Sequence, residues 1–116
     1  MLDLSIIIVN WNGKDLLRKC LQCVEATVKK VSYETYVVDN ASTDGSQDVV
    51  RQEFPTVKLI ANTDNVGFAT ANNQAMKVAE GRYVLLLNSD AFVDANTLDA
   101  MVQFMDEHPE AGSHEP

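Results

Sequence analysis

Three apolar runs of this chain each end in side chains that can hold a ligand: Asn10 with Asn12, Asp39, and Asn88 with Asp90. If these runs are parallel strands, their carboxyl ends share one edge of a sheet, which is where open α/β sheets bind ligands. Asn, Asp and Ser also end strands simply because they form turns. The convergence of three such clusters on one edge favours a binding site over three unrelated turns.

The turn after the first apolar run contains neither of the usual phosphate-binding loops. It reads Asn-Trp-Asn-Gly-Lys over residues 10–14, without the glycine pattern of a dinucleotide-binding loop or a Walker A loop. A phosphate ligand of this chain, whose net charge is −8, would therefore need a metal ion. Asp90 suits that role, because a carboxylate and phosphate oxygens together commonly hold Mg²⁺ or Mn²⁺. A single carboxylate is a weak metal site, so we expect tight metal binding only with the nucleotide present.

The elements that must position these residues alternate along the chain. Apolar runs predict strands over residues 4–9, 35–38, 57–61 and 83–87. Helical spacing and capping residues predict helices over about 15–28, 46–54 and 67–79, and from Asn96 or Thr97 to His108. Four strand–helix units in this order predict an α/β fold with a doubly wound, mainly parallel sheet in one domain, residues 1–116.

Two details of these elements are specific enough to check. The run from Tyr83 to Leu87 is continuously apolar, which is typical of a strand buried on both faces, and we place it at the centre of the sheet. Gly81 is placed as the C-terminal stop of the third helix, and Asp44 as a residue that starts the second. Trp11 either stacks on a ligand or packs into the core at the sheet edge.

Composition excludes several classes of partner. The acidic net charge disfavours binding to nucleic acid or to an anionic membrane surface. The N-terminus lacks a secretory signal and no apolar run is long enough to span a bilayer, so we predict a cytoplasmic protein. Cys20 and Cys23 share one helix face without a second pair for zinc, so we interpret them as reduced helix cysteines rather than as a redox or metal site. We expect His108 and His114 to be solvated.

Four blocks of sequence together carry a resemblance: residues 5–12, residues 38–46, residues 65–68 with Asn72-Asn73, and residues 87–90. In this order and spacing they resemble the family 2 glycosyltransferases, over about residues 4–112. The resemblance implies the Rossmann-like half of a GT-A fold, a nucleotide-sugar donor and a divalent metal. It also implies transfer of the sugar to an acceptor hydroxyl.

The resemblance assigns the donor pocket to residues of the first three blocks. The end of the first strand would line the base pocket through Val9, Asn10, Trp11 and Asn12, with Trp11 where relatives often have Tyr. Asp39 would accept hydrogen bonds from the pyrimidine base or from the ribose. Asn72 stands where many relatives have an arginine that faces the nucleotide, so a cation is lost there.

The fourth block, Asn88-Ser89-Asp90, matches the family's DxD motif with Asn in the first position. The resemblance therefore makes Asp90 the metal ligand, while Asn88 can bond the ribose as a neutral group and Ser89 lies beside the donor. Family members are roughly twice as long, and their second half supplies the acceptor pocket and the general base. No residue here matches that base, so its identity in this chain is unknown and we expect a chain truncated relative to the family.

Other interpretations remain beside the glycosyltransferase donor domain. A catalytically inactive nucleotide-binding fragment or interaction module is the main alternative, since the acceptor half has no counterpart here. A phospho-acceptor receiver domain has similar length, but it requires paired acids after the first strand, where this chain has Asn-Trp-Asn. The sequence does not determine the sugar, its carrier (UDP or dTDP), the acceptor or the stereochemistry of the transfer. An open sheet edge at Tyr83–Leu87 further predicts a homodimer.

Overall fold

The computed structural model describes residues 2–28, 31–88, 103–104 and 106–107. Its elements are β1 (Leu4–Asn10), α1 (Lys14–Thr27), β2 (Tyr33–Asn40), α2 (Ser46–Glu53), β3 (Lys58–Asn62), α3 (Phe68–Met76) and β4 (Tyr83–Asn88). Residues 103–104 and 106–107 are helical, and the remainder of the predicted last helix lies outside the described residues. The alternation of strands and helices predicted from the sequence is confirmed.

The four strands form one parallel sheet in the order β3-β2-β1-β4. Side chains of β1 alternate between its two faces. Ile6 and Ile8 pack with α1 and α2 on one face, while Ile7 packs with Ala71 and Ala75 of α3 on the other. All three isoleucines are fully buried, so helices cover both faces of the sheet as a doubly wound fold requires.

The position of β4 differs from the central one predicted from its apolar run, and in the described sheet it agrees with the open edge predicted at the same residues. In the described part of the chain it pairs with β1 alone and forms an edge, and its residues Tyr83–Leu87 are only partly buried. The central strands are β1 and β2, which are almost entirely buried. An apolar run indicates burial in general, but it cannot distinguish a central strand from an edge strand, because that depends on which strands pair.

Gly81 also has a different role from the predicted helix stop. The helix α3 ends at Met76, and Gly81 instead lies against the backbone of β1, where its amide donates to Ser5 Oγ at 2.8 Å. A Cβ at position 81 would lie 2.5 Å from Ser5 N, closer than real side chains approach. Close contact with a central strand, and not helix termination, is therefore what requires glycine here.

The buried carboxylate of Glu34 holds the segment before β4 at the amino-terminal end of the sheet. Glu34 Oε2 accepts hydrogen bonds from Ser5 Oγ at 2.6 Å and from the Glu80 amide at 2.7 Å, and Oε1 accepts one from Lys58 Nζ at 2.7 Å. Burial raises the pKa of Glu34, but the hydrogen bonds from Glu80, Lys58 and Ser5 outweigh it and hold the pKa below its ordinary value.

This network predicts a pH-dependent contribution to stability. At about pH 7 we expect Glu34→Gln to lower the free energy of unfolding by about 2 kcal/mol, because three donors lose a charged acceptor. The folded-state pKa of Glu34 lies below its unfolded-state value. The wild-type advantage is therefore complete above the unfolded-state pKa, about 4.3, and is lost as the pH falls through the folded-state pKa.

Denaturant unfolding of both chains between about pH 7 and about pH 3 measures this advantage. Glu80→Gln is the matched control, because it makes the same charge change at an exposed side chain whose backbone amide alone joins the network. A wild-type advantage that stays constant over this pH range would contradict the prediction.

Candidate functional site

The carboxyl ends of β1 and β2 meet in one polar pair. Asn10 lies opposite Asp39 in the sheet, and its Nδ2 donates a hydrogen bond to Asp39 Oδ1 at 2.8 Å. Asn88 ends β4 on the other side of β1, where Val9 is its neighbour in register. The structure thus brings the predicted clusters at Asn10, Asp39 and Asn88 to the same edge. Ser89 and the predicted metal ligand Asp90 lie outside the described residues.

Asp39 is the centre of this edge and is almost completely buried, at 1% exposure. Its Oδ1 accepts from Asn10 Nδ2 and from Ser42 Oγ, the latter at 2.7 Å. Its Oδ2 accepts from the Ser42 amide at 2.9 Å and from Gln47 Nε2 at 2.8 Å. Each carboxylate oxygen therefore has two donors, so a ligand can reach Asp39 only by displacing one of them.

The loops that follow β1 and β2 are locked to each other. The Asn12 amide donates to Ser42 Oγ at 2.8 Å, and Asn12 Oδ1 accepts from the Thr43 amide at 2.7 Å. Asn12 and Ala41 have positive φ, 50° and 64°, which costs energy for residues other than glycine. Such strain is retained where surrounding contacts enforce it, often at functional sites. Asn12 is predicted to line the base pocket, and its Oδ1 is occupied by the hydrogen bond from Thr43 that joins the two loops.

Asp44 confirms the prediction that it starts a helix. Its Oδ1 accepts from the amide and hydroxyl of Ser46, the first residue of α2, and its Oδ2 accepts from the Lys14 amide at 3.0 Å. Burial raises the pKa of Asp44, but the hydrogen bonds from Ser46 and Lys14 prevail and lower it. One carboxylate thus holds the beginnings of α1 and α2 together.

Trp11 stands out from the surface at this edge with 60% of its area exposed. The alternative that it packs into the core is wrong. Its neighbours explain the exposure: Asn10 is drawn inward by Asp39 and Asn12 is held by the lock between the loops. An indole ring displayed beside a buried polar pair is well suited to stack on a planar ligand.

The turn between β3 and α3 is anchored to the end of β2 by Asn40. Asn40 Nδ2 donates to the Gly67 carbonyl at 3.2 Å, and Asn40 Oδ1 accepts from Asn62 Nδ2 at 3.0 Å. Gly67 has a φ of 87°, a backbone conformation that favours glycine at the start of α3. Asn72, predicted to face a nucleotide, is buried in α3, and no hydrogen bond joins it to Asn10 or Asp39 among the described residues.

Sequence reasoning missed Ser42, Gln47 and Asn40 as organisers of this edge. For Ser42 a signal existed, because an Asp followed by Ser three residues later often forms a side-chain turn. For Gln47 no sequence signal existed, because only the tertiary structure brings its side chain to the end of β2.

Two absences apply to the described part of the chain alone. Within residues 2–28, 31–88, 103–104 and 106–107, no group of three or more His, Cys, Asp or Glu residues could hold a metal ion. Asp39 is held by protein donors, and the predicted metal ligand Asp90 lies outside those ranges. None of the described helices is both long and apolar enough to cross a membrane. Cys20, on α1, is buried in the core.

An open parallel sheet with both faces covered and polar side chains at its carboxyl edge is a Rossmann-like α/β arrangement, as the resemblance to a GT-A fold implies. The family model for glycosyl transferase family 2 matches residues 5–114 of the chain. The chain therefore belongs to glycosyl transferase family 2, as its four sequence blocks predict.

Curated relatives of this chain include poly(ribitol-phosphate) glycosyltransferases. The chain is 35% identical to a poly(ribitol-phosphate) beta-glucosyltransferase of Bacillus spizizenii, over 92% of this chain and 18% of the relative. It is 30% identical to the poly(ribitol-phosphate) beta-N-acetylglucosaminyltransferase TarS of Staphylococcus aureus, over 93% of this chain and 20% of the relative. The chain thus spans about a fifth of the length of these two proteins.

Solved structures agree with the fold. S. aureus TarS 1-349 in complex with UDP-GlcNAc superposes with a TM-score of 0.80 at 29% identity, covering 92% of this chain and 32% of that one. The mannosyltransferase PcManGT from Pyrobaculum calidifontis, in complex with GDP-Man and Mn²⁺, superposes with a TM-score of 0.79 at 27% identity. That match covers 90% of this chain and 34% of the other.

Proposed function

We propose that this chain is the donor-binding portion of a glycosyltransferase and binds a nucleoside-diphosphate sugar, UDP- or dTDP-linked, at the carboxyl edge of its sheet. The observation that carries the proposal is the buried Asn10–Asp39 pair beside the exposed Trp11 ring. A base needs both a stacking surface and a hydrogen-bonding edge, and this pairing offers both. The TarS complexes with UDP and UDP-GlcNAc support the same ligand class.

Asn10 adds a detail that favours a ligand with an N–H group. Its Nδ2 faces the Asp39 carboxylate, which fixes the orientation of the amide, because the reverse orientation would set two oxygens against each other. Asn10 Oδ1 is buried and has no hydrogen-bond partner among the described residues. Buried acceptors are nearly always satisfied in proteins. In the proposal Val9, Asn12 and Asn72 complete the pocket, while Asn88 and Ser89 bond the ribose side of the donor.

In the proposal a divalent metal, Mg²⁺ or Mn²⁺, is held by Asp90 and the donor diphosphate. When bound, such an ion neutralises the charge that develops on the leaving diphosphate as the sugar moves to an acceptor hydroxyl. The Mn²⁺ in the PcManGT complex supports a metal of this kind. The chain's own part is to hold the base through Trp11 and Asp39, which orients the donor diphosphate.

Calorimetric titration with UDP, with and without Mn²⁺, tests this proposal. We expect the wild type to bind UDP in a metal-dependent way. In Asp90→Ala the affinity for UDP in the presence of Mn²⁺ should fall at least about tenfold, as substitutions around a bound metal typically cause. Asp48→Ala is the control, because that carboxylate is 71% exposed on α2. No binding that depends on Mn²⁺, or equal binding by Asp90→Ala, would contradict the proposed metal site.

A nucleotide-binding module without transfer activity is the second candidate. Its support is that no general base is assigned in this chain: Asp39, the buried carboxylate of the described edge, accepts hydrogen bonds from protein donors and is proposed to bind the base. An assay for transfer or hydrolysis of a labelled UDP-sugar distinguishes the two, since only the enzyme releases UDP. In either case we propose a cytoplasmic location.

A homodimer through the β4 edge also stays a prediction. Its support is that β4 pairs on one side only within the described residues. Sedimentation as a monomer over a wide concentration range would contradict it.

A further inference from the structure

Among the described residues that donate to Asp39, Gln47 is the one able to move without dismantling the site. Asn10 is 1% exposed within a central strand. Ser42 gives its amide and its hydroxyl, and the same hydroxyl accepts from Asn12 in the lock between the two loops. Gln47 reaches Asp39 from the first turn of α2 on a long, partly exposed side chain with three rotatable bonds.

The group that Gln47 presents has the chemistry of a base edge. Its carboxamide N–H donates to Asp39 Oδ2 at 2.8 Å. Uracil and thymine carry an imide N–H, a planar donor of the same kind, whereas the corresponding ring nitrogen of cytosine is an acceptor. The exposed Trp11 ring lies at the same edge, where a base stacked on it can bring that donor to the carboxylate.

We propose that Gln47 is a gate over Asp39: in the free protein its amide holds the acceptor that the imide N–H of a bound uracil or thymine base takes. This inference rests on the proposed nucleotide site and adds to it a residue that controls access and base choice. A base with an imide N–H replaces the hydrogen bond that Gln47 gives up. A cytosine base cannot replace it, so the gate stays closed to cytidine nucleotides.

The gate lowers affinity, because binding requires the fraction of molecules in which Gln47 has turned away. We therefore expect Gln47→Ala to bind UDP, with Mn²⁺ present, about threefold to tenfold more tightly than the wild type, in line with one net hydrogen bond. Gln52→Ala, an exposed glutamine of the same helix, is the matched control and should bind as the wild type does.

A modified ligand distinguishes a gate from a purely structural role of Gln47. UDP methylated at the imide nitrogen lacks the N–H, so the gain in Gln47→Ala over the wild type should disappear with this ligand. Gln47→Met, which keeps the length of the side chain but has no donor, provides a second variant if alanine loosens the loop. It should show the same gain with UDP.

The outcomes separate the gate from the proposed function. Wild-type binding to UDP together with equal or weaker binding by both Gln47 variants overturns the gate and leaves the nucleotide site in place. An equal gain for UDP and its methylated form also overturns the gate, because the effect would not involve the imide N–H. Failure of every chain, Gln52→Ala included, to bind UDP overturns the proposed function itself.

Discussion

Replacing Asp39 by alanine is expected to lower the free energy of unfolding by about 3–4 kcal/mol. The carboxylate accepts four hydrogen bonds in a site that is 1% exposed, and each donor left without a partner there costs about 1 kcal/mol or more. The loss also releases Ser42, which holds the loop after β1 through the Asn12 amide. Denaturant unfolding monitored by circular dichroism measures the change.

Asp39→Asn separates shape from charge. It keeps the volume of the side chain but turns an NH₂ group toward donors, so we expect an intermediate loss of about 2 kcal/mol. Asp64→Ala, at an exposed position of the turn after β3, is the control and should change stability by less than about 0.5 kcal/mol. If Asp39→Ala and Asp64→Ala unfold at the same denaturant concentration, the four-donor arrangement is wrong.

The same Asp39 variant has a predicted effect on ligand binding. Under conditions where it remains folded, Asp39→Asn should bind UDP at least about tenfold more weakly, because the acceptor for the base is lost. Loss of the Gln47 side chain is expected to strengthen UDP binding, because Gln47 and the base compete for Asp39 Oδ2. Substitutions at positions 39 and 47 should therefore change the affinity for UDP in opposite directions. Undiminished binding of UDP by folded Asp39→Asn would remove Asp39 from the donor site.

Gly81→Ala is expected to destabilise the fold by about 3 kcal/mol. The added Cβ would lie 2.5 Å from Ser5 N and 2.6 Å from the carbonyl carbon of Leu4. Both are backbone atoms of the central strand β1, and moving them would disturb its pairing with the neighbouring strands. Moving the chain away would also break the amide contacts of Gly81 with Ser5 and of Glu80 with Glu34.

Gly13→Ala is the matched control for Gly81→Ala. Gly13 precedes α1 with a φ of −116°, which alanine adopts readily, so the substitution should cost at most about 1 kcal/mol as an N-cap change. Thermal unfolding of the two variants beside the wild type compares them. Equal stability of Gly81→Ala and Gly13→Ala would show that position 81 does not require glycine for close packing.

The local pattern of the sequence was sufficient to place the elements. The predicted strand over residues 4–9 is one residue shorter than β1, and the predicted start of α2 at Ser46 is correct. Apolar runs and helical spacing are properties of neighbouring residues, so they can be read without knowing the fold. The same holds for the convergence of Asn10, Asp39 and Asn88 on one edge, because parallel strands put their carboxyl ends together.

What only the tertiary structure decided depends on residues far apart in the chain. The pairing order places β4 at an edge of the described sheet, although its apolar run resembles that of the central β1. Gly81 needs glycine because of Ser5, and Trp11 is exposed because Asn10 turns toward Asp39. The sequence by itself determined that Asp39 lies at the carboxyl end of a strand. Only packing, which brings several donors to one carboxylate, decided that Gln47 stands in front of it.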